Sequence, residues 1–539
     1  MTKFISRRTV SAVFTTLLLP MAAMAQQDVF TFHNDNARTG QNLHETVLTP
    51  ASVNSATFGK LFTVLMDGKV DAQPLYVSRL DIPPKGERNV VYAVTEHNSI
   101  YAFDASNGVV LWKVSALKPD EAPSDRQQCS QVSPEIGITA TPVIDRKVGP
   151  HGAIYVVAMS KDSKGAYHQR LHALDLVTGA ELLKGPREIA ARYPGSGDTS
   201  KNGMVVFDPR MHEDRAGLLL VNGVVYTSWS SHCDYRPYNG FVIGYDEQTL
   251  APTGTFNFAP NGNEAAIWNS GAAPAADAEG NLYFSVANGT FDSTLNARGF
   301  PGNADYGNAF VRLTPVGTGP SRALHVSDYW TMYNTVDESD KDLDLGSGGL
   351  ILLPGAPGTA HLGVGAGKDQ HLYVFETDHM GKFNPKDNSN LYEDIPGALH
   401  GPEFGELAWF NGAVYVGAVN DSLRAFRLTG GKLSQQAISV SKNLFPYPGS
   451  NPIISANGTA NAILWAYDNG VPQQARPAAL RAYDPANLGH EYYDSDQAPN
   501  GRDQFGVGNK FISPTVADGR VFVGTTHSVV AFGLLKQSH

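Results

Sequence analysis

Two cysteines, Cys129 and Cys233, are all that the 539 residues contain. Neither stands in a C-x-x-C-H arrangement, so no covalent c-type haem is encoded. Basic charge is also short, with 41 Lys and Arg against 52 Asp and Glu, and the cations are scattered. An acidic chain without a basic patch argues against a nucleic-acid partner. Past residue 25 no apolar run is long enough to span a bilayer. There is no G-x-S-x-G nucleophile elbow. Gly346-Ser347-Gly348-Gly349 lacks both a following helix and the phosphate-loop Lys, which excludes nucleotide binding of that kind. His212-Glu213-Asp214 has the spacing of no strong metal-ligand pattern.

The N-terminus carries a targeting signature. Lys3, Arg7 and Arg8 precede an uncharged stretch from Val10 to Ala25, and Ala23-Met24-Ala25 is an A-x-A cleavage site. Ser6-Arg7-Arg8 before a mild, Thr-containing apolar run reads as a twin-arginine export signal, an ordinary secretory leader being the alternative. Residues 1–25 are therefore expected to be removed, leaving 26–539 as the mature chain, periplasmic or secreted. Cleavage takes away three cations and no acid, so the formal charge moves from −11 to −14. In an oxidising compartment Cys129 and Cys233 form a disulfide or stay as two buried thiols; sequence leaves both open.

What is abundant is turn-forming and aromatic: 54 glycines, 33 prolines and 10 % aromatics, with almost no long amphipathic stretch. Such a chain reads as short strands joined by turns. One unit recurs. Its clearest copy runs from Gln73-Pro74-Leu75-Tyr76-Val77 through Val90 to Val94 and ends Ala102-Phe103-Asp104-Ala105-Ser106-Asn107-Gly108-Val109-Val110-Leu111-Trp112. Further copies start near Thr141, Leu218, Ala273, Leu350, Leu407, Ile454 and Ser513, making eight. Each is expected to form a four-stranded antiparallel sheet. The Asp and Gly turn its last two strands, and the Trp packs between neighbouring sheets.

The eighth copy is a strand short, because Val529-Val530-Ala531-Phe532 is almost the end of the chain. Gly59-Lys60-Leu61-Phe62-Thr63-Val64-Leu65 supplies a spare strand near the N-terminus. Pairing the two closes a ring and removes exposed sheet edges. The expectation is an all-β, single-domain, eight-bladed propeller, with seven blades and an open stack as the alternatives. Length alone would have suggested three domains.

The A-x-D-x-x-x-G-x-x-x-W pattern of Ala102 to Trp112 resembles the tryptophan-docking repeat of pyrroloquinoline quinone (PQQ)-dependent alcohol and methanol dehydrogenases. The resemblance covers nearly the whole mature chain as blade pattern. It implies oxidation of an alcohol or sugar hydroxyl by PQQ, with an Asp as general base and a Ca²⁺ polarising the quinone. A cationic side chain meets the quinone oxygens and an aromatic ring stacks on the cofactor. Carried over by position, Trp268 is the stacking ring and Asn288 a Ca²⁺ ligand, although Ala287 stands where the family has Gly. Asp344 is the catalytic base, with Asp342 in reserve, and Lys368 is the quinone contact. A further carboxylate for the metal is sought in Asp234, or else Glu135.

Two departures weigh against this. The family's adjacent cysteine pair is absent, since Ser130 follows Cys129, and the metal-ligating Glu has no clean counterpart in Ser231 to Arg236. The implied partners are a small-molecule substrate and an electron acceptor of unknown identity. The rival expectation is a propeller without cofactor that binds protein or glycan through its loops, because one fold hosts many functions.

Overall fold

The structure is a computed structural model that describes Met1 and residues 27–319, 322–355, 360–471 and 476–536. The leader expected at residues 1–25 lies, Met1 apart, outside the described residues. No helix among the described residues is long and apolar enough to cross a membrane.

Each of the eight repeat copies folds into an antiparallel sheet of its own. In the first, Leu75–Ile82, Gly86–Val94, Ser99–Asp104 and Val110–Ser115 pair in sequence order. The fifth is built the same way from Leu350–Leu352, Leu362–Ala366, Leu372–Glu376 and Glu393–Ile395. The architecture is that of a β-propeller. The second sheet is extended by Glu121–Asp125 and Glu135–Ile136, in an insertion that also carries Cys129 and Gln131.

The repeat signature acts locally as expected. Gly108 N–H donates to Asp104 O at 2.8 Å, and the Asp104 carboxylate accepts from Ser106 N–H, closing the turn. Gly108 has φ +75°, a conformation that only glycine adopts freely. Trp112 then crosses to the second sheet, donating from Nε1 to Leu176 O at 3.0 Å. Apolar side chains from the eighth, first and second sheets, such as Phe522, Ile100 and Ile154, share one core between the sheets. Each fully buried residue of this kind contributes roughly 1.5–3 kcal/mol.

The eighth sheet consists of Thr515–Ala517, Arg520–Gly524 and Ser528–Leu534, with Phe58–Leu65 as its outermost strand. Phe62 lies opposite Ala531, Thr63 opposite Val530 and Val64 opposite Val529. A strand from the N-terminal part of the chain thus completes the last repeat.

A second N-terminal device is invisible in the repeat pattern. Residues 29–42 touch the innermost strand of every sheet, in chain order. Val29 exchanges backbone bonds with Tyr76, and Phe30 O accepts from Ile144 N–H. Asn36 reaches the third sheet with its side-chain amide, donating to Leu220 O, and the fourth with its carbonyl, accepting from Ala276 N–H. Ala37, Thr39 and Gly40 carbonyls accept from Leu352, Trp409 and Ile454, and Asn42 Nδ2 donates to Val516 O. This collar meets the inner strands past their starts. The segments that lead into those strands are left to build the site.

Candidate functional site

Those leading segments surround a cavity of about 350 Å³. Asp234, Trp268, Asp342, Asp344 and Lys368 all line it. Residues expected in the third, fourth and fifth repeats therefore share one space, but Asn288, expected with them, does not line it.

Two glycines make the approach possible. A Cβ on Gly367 would sit 2.3 Å from Asp344 O, and one on Gly346 would sit 2.3 Å from Ala287 N. With no side chain at either position, the segments bearing Asn288, Asp344 and Lys368 lie backbone to backbone. Lys368 N–H donates to Asp344 O at 2.9 Å. The Lys368 ammonium then bridges Asp344 Oδ2 and Asp342 Oδ1, each at 2.7 Å. Asn288 N–H donates to Asp344 Oδ1 at 2.9 Å, and its amide Nδ2 to Asp342 Oδ1 at 3.0 Å. Asn288 is thus held behind the two carboxylates, and its Oδ1 is buried without a partner.

Asp344 is 6 % exposed, whereas Asp342 faces solvent. Burial pushes the Asp344 carboxyl above the usual carboxylate range, against the pull of Lys368 and the Asn288 N–H. Burial works against the Lys368 charge as well, but Asp344 and Asp342 outweigh it and hold the amine as an ammonium ion.

Trp268 is half-buried on the cavity wall. Its segment is fixed to the Asp344 segment by Asn269 Nδ2, which donates to Gly348 O, and by Ser270 Oγ, which donates to Ser347 O. Asp234 accepts from Tyr238 O–H at 2.7 Å. Glu135 instead pairs with His97 Nδ1 at 2.9 Å, and it does not line the cavity.

Sequence reasoning missed the other half of the wall. Arg215, Phe404, Tyr447 and Phe511 come from segments that carry no repeat signature. Arg215 immediately follows His212-Glu213-Asp214, a run notable only for failing as a metal motif. Its guanidinium lies over the Phe511 ring at 4.8 Å and 3.6 Å from the buried Glu213 carboxylate. Cys233 also lines the cavity and is disulfide-bonded to Cys129, with Cα atoms 5.4 Å apart. The alternative of two buried thiols is thereby corrected.

No family profile matches the chain, and no curated protein matches it in sequence. Solved structures do match. A quinohemoprotein alcohol dehydrogenase from Comamonas testosteroni aligns with a TM-score of 0.61 at 14 % identity, over 96 % of this chain and 82 % of that one. A second quinohemoprotein alcohol dehydrogenase, from Pseudomonas putida HK5, gives 0.57 at 13 %, over 95 % and 81 %. A europium-containing methanol dehydrogenase gives 0.57 at 12 %, over 94 % and 98 %. At these identities the likeness establishes the fold alone, a β-propeller.

Proposed function

We propose that the chain is an exported quinoprotein-like oxidoreductase that oxidises an alcohol or sugar hydroxyl with PQQ. The observation that carries this reading is a buried carboxylate, Asp344, ion-paired to a half-buried ammonium, Lys368, on the wall of a cavity that Trp268 also lines.

The residues fit a planar quinone bearing carboxylates. Trp268, Phe404, Tyr447 and Phe511 offer flat apolar surface, and Lys368 and Arg215 offer positive charge. Arg215 Nη1 is buried with no hydrogen-bond partner, an unmet donor of the sort an anionic ligand satisfies. Calcium fits less well. Lys368 already bridges Asp342 and Asp344, and among the described residues no three Asp, Glu, His or Cys side chains gather as a metal site. Asn288 and Asp234, expected as ligands, do not complete a shell of six to eight oxygens. No step is assigned to the metal.

When bound, PQQ supplies the two-electron oxidant. Asp344 Oδ2 is the proton acceptor for the substrate hydroxyl, a role that requires hydrogen-bond reach and an ionised carboxylate. Lys368 pulls the Asp344 pKa down against the burial that raises it, and its ammonium would contact the quinone when PQQ is bound. The Asn288 N–H fixes the second carboxylate oxygen, so the base presents one orientation to the cavity.

The test is reconstitution of the purified protein with PQQ, with and without added Ca²⁺, followed by absorbance and a dye-linked alcohol and sugar screen. PQQ uptake and turnover are expected. Asp344→Asn should lower turnover by at least about a thousandfold while PQQ stays bound, and Lys368→Ala should weaken PQQ binding at least about tenfold. A protein that takes up no PQQ under either condition overturns the reading and leaves the scaffold function.

A further inference from the structure

Beside the first cavity lies a second cleft of about 670 Å³, and Tyr447 lines both. Its wall includes Lys69, Asn469, Asn509, Lys510 and His527. Lys510 stands at the boundary. Its ammonium donates to Gln131 Oε1, a first-cavity residue, at 2.8 Å. It also lies 6.0 Å from the centre of the Phe511 ring that carries Arg215 and 5.8 Å from that of Tyr447.

The cations here are not equally satisfied. Arg215 has Glu213 at 3.6 Å and Lys69 has Asp71 at 3.8 Å. Lys510 has no carboxylate within ion-pair distance among the described residues. A half-buried ammonium beside two other cations is costly unless something anionic joins it. Burial, Arg215 and Lys69 together bring its pKa down to about 8, with Asp71 and Glu213 opposing. Asn469, on the same wall, has a buried Oδ1 without a partner.

We propose that this cleft is the subsite for the anionic end of the substrate, with Lys510 as its charge-selecting residue. The substrate class is then a hydroxylated organic acid, such as a sugar acid, whose oxidised hydroxyl lies in the first cavity near Asp344. The assignment of the hydroxyl rests on the oxidoreductase reading above. The charge requirement does not, and the same oxyanion chemistry has two possible sources, a substrate carboxylate or a carboxylate of PQQ.

The experiment is calorimetric titration of the full mature chain, without PQQ and in phosphate-free buffer of low ionic strength. Gluconate and sorbitol are the probes, alike in carbon chain and different in charge. Gluconate is expected to bind at least about tenfold more tightly, as one charge-assisted contact provides. Lys510→Gln should bring gluconate down to the level of sorbitol, and Lys510→Arg should keep its affinity within about threefold. Gluconate affinity should also decline from pH 7 to pH 9, as Lys510 loses its proton near pH 8. Circular dichroism of both variants checks that they fold.

Equal binding of the two probes, or a Lys510→Gln variant that holds gluconate as well as the parent, overturns the proposal. So does a PQQ titration in which that variant loses cofactor affinity while gluconate binding is unchanged, because the cation then serves the cofactor. The titrations with gluconate contain no PQQ. Failure of cofactor uptake therefore overturns only the oxidoreductase reading, and failure of gluconate binding only this one.

Discussion

Ser347 stands between the two carboxyl-bearing segments of the site, its hydroxyl 2.7 Å from Glu403 O and 3.1 Å from Asp344 O. Glu403 is wholly buried behind the cavity, and burial pushes its carboxyl up to about 8. The folded chain keeps that proton through neutral pH, whereas an unfolded Glu loses it near about 4.3. Between those values the folded state binds more protons, so stability falls as pH rises through the window. Glu403→Gln removes the titration without changing shape. Its melting temperature should match the parent below about pH 4 and exceed it increasingly up to about pH 8; a gap that does not change with pH counts against the assignment. Asp344 and Lys368 were legible in the sequence because the family pattern places them beside a strand start. Arg215 was not, since a lone Arg after three polar residues has no signature. Only folding brings it onto Phe511, 296 positions later.

The loops show the same division. Cys129 lies in the insertion that follows the first sheet, and Cys233 in the loop after Val224–Ser228. Their separation of 104 residues says nothing about distance, and the fold puts the Cα atoms 5.4 Å apart. The bridge ties the Gln131 segment to the Asp234 segment on the cavity wall. Alkylation without reductant, followed by intact mass, should label no thiol, and two labelled thiols would contradict the bridge. Replacing both cysteines by Ser should cost up to roughly 4–5 kcal/mol, the chain-entropy figure for a loop of about 100 residues. By contrast the Asp104–Gly108 turn and the Trp112 crossing were readable beforehand. A four-residue spacing fixes the first by itself, and an aromatic at a constant offset marks the second.

Over the whole molecule, two N-terminal segments hold repeats that are otherwise separate sheets. Phe58–Leu65 supplies the fourth strand of the last sheet, and residues 29–42 bond to the inner strand of each sheet in turn. Deleting residues 27–66 should therefore lower stability sharply, by exposing a sheet edge and freeing eight inner strands at once. The measurement is urea unfolding of the truncated chain, and a midpoint equal to that of the parent would show that neither segment closes the molecule. The missing fourth strand was visible in the sequence as a shortfall in the last repeat. The collar was not, because most of its bonds run through the backbone, which every residue type has. The sequence by itself determined the repeat, the turns and the order of Trp268, Asn288, Asp344 and Lys368, all of which depend on short spacings along the chain. Tertiary structure alone decided the cavity, its Arg215 and Phe511 wall, the disulfide and the neighbouring cationic cleft. Those depend on which loops meet when the sheets pack together, and that is a property of distances in space.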